Sequence, residues 1–184
     1  MSKIIISMDP GKENYSVAVQ VIDEDKPSVE FVKLLNFRIR DLKEKADPPF
    51  EEQLKGFIKE ITEILNTYNP TECSMERYQV RFRTMGCTTE VVNVMIGVVS
   101  SLCYERGITV KLVIAGEWKN HFNRVSPLPL EYVYKSIKKL PPHIIDSGLI
   151  GLYCSFRKKE WYTEENIISY CHQLKEKYEI QKKI

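Results

Sequence analysis

The sequence of 184 residues lacks the features that would place it in a membrane or a secretory pathway. No segment approaches the roughly 18 uninterrupted apolar residues that a membrane span requires. The N-terminus has no charged region followed by a long apolar segment and a cleavage site. We therefore expect a soluble cytoplasmic protein without a membrane partner, long enough for one domain with a substantial core and rather short for two.

Closely spaced cysteines are also missing. None of the cysteines has a second one at the spacing of roughly two to four residues typical of zinc knuckles; they are Cys73, Cys87, Cys103, Cys154 and Cys171. Their odd number, together with the missing signal peptide, argues against a disulfide framework. We expect reduced cysteines with a structural role.

The chain has little net charge, at +2, but the charge is unevenly distributed. Residues 23–76 carry 13 acidic against 8 basic side chains, a balance of −5. Residues 77–140 carry 10 basic against 4 acidic side chains, a balance of +6. This asymmetry indicates one basic face and favours a polyanionic partner, although ordinary solvated surface charge explains it equally well.

What the sequence contains is a regular succession of strand-like and helix-like segments. Apolar and β-branched runs predict five strands, at 3–9, 15–22, 29–37, 72–77 and 108–114. Apolar residues at helical spacing predict helices at 50–68, 88–105, 115–122, 128–139, 142–157 and from 163. The prediction is an α/β fold whose five-stranded mixed sheet has three antiparallel and then two parallel strands, with helices on both faces. This order resembles that of the RNase H-like fold.

Three acidic residues and a histidine fall where these elements would bring them together. Asp9 ends the first strand in Asp-Pro-Gly, and Glu76 lies near the end of the fourth. His143 and Asp146 are three residues apart, on one face of an apolar helix. Each has an ordinary explanation: a turn residue, a core histidine or a helix N-terminal charge. With no lysine or arginine obviously assigned to neutralise them, they together predict a site for hard divalent cations, Mg²⁺ or Mn²⁺ before Ca²⁺.

Three segments resemble the RuvC family of Holliday-junction resolvases. They are IIISMDPGKENYSVAV, MERY and HIIDSGLIGLYC, in the first strand, the fourth strand and the fifth helix. The resemblance covers about residues 3–157, and all acidic positions are in order. It implies an RNase H-like nuclease domain at 1–157, with 158–184 as an amphipathic, charged C-terminal helix or tail.

The resemblance also implies an activity and a set of roles. The protein would be an Mg²⁺-dependent, structure-selective endonuclease that resolves four-way DNA junctions by paired symmetric cuts. Asp9, Glu76 and Asp146 would ligate two Mg²⁺ ions, for which Mn²⁺ can substitute, and His143 would be a fourth ligand or a general base. Lys119 matches a lysine that the family places beside the scissile phosphate, where it can neutralise charge in the transition state.

Basic and aromatic residues alternate directly after the fourth strand. They are Arg77, Tyr78, Arg81, Phe82 and Arg83. Such a segment suits a loop that grips phosphates and stacks on an unpaired base, and the resemblance implies that Tyr78 or Phe82 acts near the junction crossover. The alternative is an exposed loop whose aromatics cover the core. Lys12, just after Asp-Pro-Gly, is a further candidate for a phosphate contact.

The partner and the source are less directly indicated. A junction has two-fold symmetry, so a C2 homodimer is the natural assembly. The apolar helix at 88–105 could cover the sheet with one face and pair with a second subunit through the other, although a helix buried within a monomer is the alternative. Ser16, where the family commonly has glycine, and the expansion at 38–50 are departures that resemble a viral, especially bacteriophage, member.

Other functions remain open. A nuclease that debranches flaps and forks before viral genome packaging, or the nuclease domain of a large terminase, would have the same residues. A non-catalytic DNA-binding module would not need the acidic residues. An ATP-binding protein of the actin and sugar-kinase type would need about twice this length.

Overall fold

The protein was analysed as a computed structural model that describes residues 2–11, 13–38, 45, 47–77 and 88–183. These residues form a five-stranded sheet of β1 (Lys3–Pro10), β2 (Asn14–Ile22), β3 (Pro27–Asn36), β4 (Glu72–Arg77) and β5 (Thr109–Ile114). The strand order is β3-β2-β1-β4-β5. The pairs β1–β2 and β2–β3 are antiparallel, whereas β1–β4 and β4–β5 are parallel. The predicted mixed sheet is confirmed.

Helices cover both faces of the sheet. The first face carries α1 (Phe50–Tyr68) and α2 (Thr88–Tyr104). The second carries α3 (Ala115–Val125), α4 (Leu130–Ser136), α5 (Pro142–Ser155) and α6 (Glu164–Gln181). Because successive strand residues point to opposite faces, Ile5 packs under the second set and Ile6 under the first. No helix in the described part of the chain is both long and apolar enough to span a bilayer.

The predicted element boundaries agree with the structure to within a few residues, with one larger difference. Helix α4 covers Leu130–Ser136, shorter than the predicted 128–139. It follows Pro129, whose backbone is extended, and the chain reaches a left-handed conformation at Lys139, with a φ of 69°. Helical geometry is therefore already lost before residue 139.

Helix α5 approaches the sheet closely because of a glycine. A Cβ atom at Gly151 would lie 2.1 Å from Nε2 of Gln20 and 2.8 Å from Oγ of Ser7. The Gln20 amide donates to Oγ of Ser7 over 2.5 Å, so both partners are fixed polar groups of the sheet. Nearer the start of the helix, Ser147 lies 2.8 Å from Ser16 between their hydroxyl oxygens. Ser16, the small departure noted above, thus joins β2 to α5.

Helix α6 packs over α5 and the β3 edge. Gly148 faces this helix rather than the sheet, since a Cβ there would lie 2.7 Å from Cδ1 of Leu174. The Tyr170 hydroxyl donates to Oε1 of Gln20 over 2.5 Å, and the backbone N–H of Val29 in β3 donates to Oε1 of Gln173 over 3.1 Å. Residues after 157 therefore share the core on this face of the sheet.

The cysteines of the described residues are free thiols inside the protein. They are Cys73, Cys103, Cys154 and Cys171. Burial alone raises the pKa of Cys171 to about 12, so this thiol stays protonated at neutral pH. Cys87 lies outside the described residues.

We predict that Gly151→Ala lowers the free energy of unfolding by about 1–3 kcal/mol, because the added methyl group must displace Gln20 or push α5 away from the sheet. The matched control is Gly56→Ala in α1, where nothing lies within 4 Å of the new Cβ. That change should raise stability by up to about 1 kcal/mol through helix propensity. Urea unfolding of both variants would measure this, and equal stability of the two would contradict the close approach.

Candidate active site

Asp9 and Glu76 lie side by side at the ends of the two central parallel strands. The register pairs Met8 of β1 with Met75 of β4, and the two acidic residues follow directly on each strand. Asp9 is buried, at 7% exposure, and Glu76 is partly buried. A carboxylate withdrawn from water in this way needs a partner or a neutralising ion.

His143 at the start of α5 is the partner of Asp9. Its Nδ1 atom lies 2.6 Å from Oδ2 of Asp9. This hydrogen bond is the main reason why the pKa of His143 is raised, although burial acts in the opposite direction. The return from β1 to β2 passes under the imidazole at Gly11, where a Cβ would lie 3.4 Å from Cε1 of His143 and 2.3 Å from the Asn14 carbonyl oxygen. Glycine is therefore required in the Asp-Pro-Gly turn.

Glu76 is held by a neutral donor. The indole Nε1 of Trp118, a fully buried residue of α3, donates to Oε2 of Glu76 over 2.7 Å. Burial raises the pKa of Glu76, the indole hydrogen bond lowers it, and the negative charge of Asp9 raises it further, so that the net shift is upward. Glu76 thus lies in a position where positive charge would be favourable.

Asp146 has two partners from two helices. Nζ of Lys119 lies 3.1 Å from its Oδ2 atom, and the hydroxyl of Tyr134 in α4 donates to its Oδ1 atom. Burial is the largest cause of the raised pKa of Asp146, which Lys119 partly offsets. Burial and the adjacent carboxylate also raise the pKa of Tyr134, so the phenol stays protonated and acts as a donor. Lys119 therefore neutralises Asp146. The sequence indicated no lysine or arginine as a partner of the acidic residues.

The structure brings Asp9, Glu76, His143, Asp146 and Lys119 to one end of the sheet. Each carboxylate is held by a separate partner, and no three described His, Cys, Asp or Glu side chains are grouped closely enough to hold a metal ion as they stand. The donor types, three carboxylates and an imidazole, nevertheless suit a hard divalent cation.

Two residues at this site were not recognised in the sequence. Trp118 was visible beside Lys119 in an amphipathic helix, and a buried indole that needs an acceptor was a usable signal. Tyr134 had no comparable signal, because its contact with Asp146 depends on how α4 packs against α5. Among the predicted DNA contacts, Arg77 is exposed at the end of β4. Lys119 is paired with Asp146. The remaining predicted contacts lie outside the described residues; they are Lys12, Tyr78, Arg81, Phe82 and Arg83.

Comparison with known proteins defines the fold. No protein-family model and no curated protein sequence matches the chain. A solved structure of RuvC from Thermus thermophilus superposes with a TM-score of 0.66 at 16% identity, over 86% of this chain and 97% of that one. RuvC of T. thermophilus in complex with Holliday junction substrate gives a TM-score of 0.64 at 17% identity, over 82% and 91% of the two chains.

A eukaryotic protein has a related structure. The yeast mitochondrial Holliday junction resolvase Ydc2 gives a TM-score of 0.55 at 14% identity, over 97% of this chain and 85% of that one. The chain therefore has the RNase H-like fold in the form found in RuvC, as the order of strands and helices predicted. At these identities the similarity defines the fold alone.

A second buried acid in β4 provides a contrast with Glu76. Glu72, at the other end of the strand, lies 2.7 Å from Nζ of Lys111 and 3.3 Å from Nζ of Lys3, and it accepts a hydrogen bond from Ser155 at the end of α5. Burial raises the pKa of Glu72, but the hydrogen bonds from Lys111 and Ser155 and the two ammonium charges outweigh burial, and the pKa is lowered. Glu72 has the partners of a structural carboxylate, and Glu76 does not.

We predict opposite effects on stability for the two neutralising substitutions. Glu72→Gln should lower the free energy of unfolding by about 1 kcal/mol at neutral pH, a modest value because both lysines are more than a third exposed. Since the folded pKa of Glu72 is lowered, its contribution exists above the ordinary carboxyl pKa and is lost as pH falls through the lowered value. The difference in the free energy of unfolding between Glu72→Gln and the unsubstituted protein should therefore vanish in acid.

Glu76→Gln should leave stability equal or higher, because its amide oxygen can still accept from Trp118 and a buried negative charge is removed. Urea unfolding of both variants at neutral and acidic pH measures the contrast. A larger loss of stability for Glu76→Gln than for Glu72→Gln would contradict the assignment of Glu72 as the structural acid.

Proposed function

We propose that the protein is a metal-dependent DNA endonuclease that resolves four-way junctions. The observation that carries the proposal is the convergence of Asp9, Glu76 and Asp146 at the end of the central strands, below the first turns of α5. Two further observations support it: the RuvC-type fold, and the complex of one structural neighbour with a Holliday junction substrate. The nuclease unit is assigned to 1–157.

The ligands of the metal would be Asp9, Glu76 and Asp146, with His143 as a further ligand or as a general base. Two Mg²⁺ ions bound there would supply an activated water and stabilise the leaving oxygen, and Mn²⁺ could replace them. If His143 acts as the base, it takes the proton of the attacking water as the new P–O bond forms and the bond to the leaving oxygen breaks. Lys119, which lies 3.1 Å from Asp146, would neutralise the negative charge that develops at the scissile phosphate.

The remaining residues of the proposed machinery orient the carboxylates. The indole Nε1 of Trp118 and the hydroxyl of Tyr134 each donate to a carboxylate oxygen and so orient Glu76 and Asp146. Arg77, which is exposed at the end of β4 and next to Glu76 in the chain, would meet a phosphate. Tyr78, Arg81, Phe82 and Arg83 would continue this contact into the junction centre, and Lys12 would meet a phosphate on the β1 side.

We also propose that the active form is a C2 homodimer, because paired cuts across a two-fold junction need two active sites. Helix α2 supports this assembly: Val94, Val98 and Leu102 form a half-buried apolar line next to exposed Gly97 and Ser101. Molar mass measured by light scattering after gel filtration tests the assembly. A bacteriophage source stays a prediction from the sequence.

A debranching nuclease with a wider range of substrates is the second candidate, because the same carboxylates would cut flaps and forks. Cleavage of a mobile four-way junction with Mg²⁺, beside flap, fork and linear duplex controls, distinguishes the two. Symmetric nicks in the junction with little cleavage of the controls are expected for a resolvase. Equal cleavage of junction and linear duplex would refute both structure-selective proposals.

We predict that Asp9→Asn and Asp146→Asn lower the rate of Mg²⁺-dependent cleavage by at least roughly 10²–10³-fold, since each removes a charge that the metal site requires. Junction binding in EDTA should stay intact, because neither residue is basic. The control is Glu72→Gln, the acid paired with two lysines, which should cleave at the unsubstituted rate below its unfolding temperature. Full activity of either aspartate variant would overturn the metal-site proposal.

A further inference from the structure

A basic pocket lies on the α3 side of the protein, away from the carboxylates. It has a volume of about 340 Å³ and is formed by the second half of α3 and the segment after α5. The lining side chains combine three cations, a histidine, a tyrosine and one aliphatic residue: Arg124, Arg157, Lys159, His121, Tyr162 and Val125. Among the described residues no acidic side chain lines the pocket, and none of the three cations has an ion pair with a carboxylate.

The two arginines of the pocket contact aromatic rings. The guanidinium of Arg157 lies over the Tyr153 ring, 5.0 Å from its centroid. The same ring meets the edge of the His121 imidazole, with 5.2 Å between centroids. Arg124 Nη2 lies 3.3 Å from Nδ1 of His121. Because guanidinium only donates, Nδ1 must accept, and the imidazole is neutral in this contact.

The electrostatics of the pocket favour an anion. Burial and then the charges of Arg124 and Arg157 lower the pKa of His121, as expected for a histidine that shares a small space with two guanidinium groups. The two guanidinium groups are positively charged and repel each other. An anion between them would relieve this repulsion and would accept from several donors at once.

Helix α3 connects the pocket with the candidate active site. Lys119 reaches Asp146 from the first half of the helix, and Arg124 lines the pocket from the second half. The two residues are five positions apart, so they lie about 7.5 Å apart along the helix axis and leave the helix in different directions. The pocket and the candidate active site are thus separate positions on one rigid helix.

We propose that this pocket binds a backbone phosphate of the DNA arm that enters the active site. The proposal deepens the proposed nuclease function and rests on it for the identity of the strand. A contact so far from the reacting atoms is made equally in the ground state and the transition state, so it contributes to substrate binding and not to the chemical step.

The test is equilibrium binding of a four-way junction and of a linear duplex in EDTA over a range of KCl concentrations. The double variant Arg124→Gln/Arg157→Gln should bind roughly tenfold more weakly than the unsubstituted protein at low salt. Its slope of log K against log salt should be shallower by about 0.9, the value for one phosphate. In cleavage assays the KM should rise while kcat stays unchanged.

The matched control is Lys55→Gln/Lys59→Gln on α1. It removes the same charge from two exposed positions on the opposite face of the sheet. Its salt slope should equal that of the unsubstituted protein. Both arginines of the test pair are also exposed, so thermal unfolding should show intact folding in all variants.

The outcomes separate this proposal from the nuclease proposal. An unchanged slope for the arginine variant, or an equal loss in the lysine control, overturns the phosphate pocket and leaves the nuclease proposal intact. A shallower slope for the arginine variant alone, in a protein that cuts no branched DNA, supports the pocket and overturns the nuclease. A protein that binds neither DNA overturns both.

Discussion

The position of the proposed metal ligands depends on how closely α5 lies against the sheet. Asp9 and Glu76 are fixed by the register of β1 and β4, but His143 and Asp146 reach them only because the same helix can pack onto β1 and β2. Gly151 makes that approach possible, and Gln20 fills the space that its missing side chain leaves. At the other end of the helix, Ser155 is held by Glu72. Helix α5 is therefore fixed at both ends and at its centre.

Electrostatic repulsion among the acids is the second constraint on the site. Three carboxylates at one end of a sheet repel each other, and the protein balances them with different types of partner: an imidazole, an indole and a lysine with a phenol. Only the partners of Asp9 and Asp146 can carry positive charge. Glu76 has a neutral donor and a raised pKa, so an added cation would stabilise its charged form.

Much of the architecture could be predicted from the sequence, because it depends on local patterns. Apolar runs that end at turn residues defined β1 and β4, and the three-residue spacing of His143 and Asp146 placed them on one helix face. The order of the elements predicted that His143 and Asp146 lie close to Asp9. The contacts that hold the carboxylates depend instead on packing between helices that are distant in sequence from the acids, as Trp118 is from Glu76.

The basic pocket also depends on packing between elements that are distant in sequence, so it could not be predicted from local patterns. Arg124 and Arg157 are separated by two helices in the chain, and neither is part of a recognisable motif. They lie in the same pocket because the Tyr153 ring of α5 contacts both Arg157 and His121 of α3. The positions of the two arginines in the sequence do not show that they are close in space.

Strand β5 ends at Ile114 and helix α3 begins at Ala115, so no residue connects the two elements. This direct connection restricts where residues can be inserted or deleted. Each residue inserted into a helix rotates everything after it by about 100° and moves it by about 1.5 Å. With no loop to absorb an insertion there, one added residue would turn Trp118 and Lys119 away from their two carboxylates together. Length variation in related chains should therefore avoid this junction.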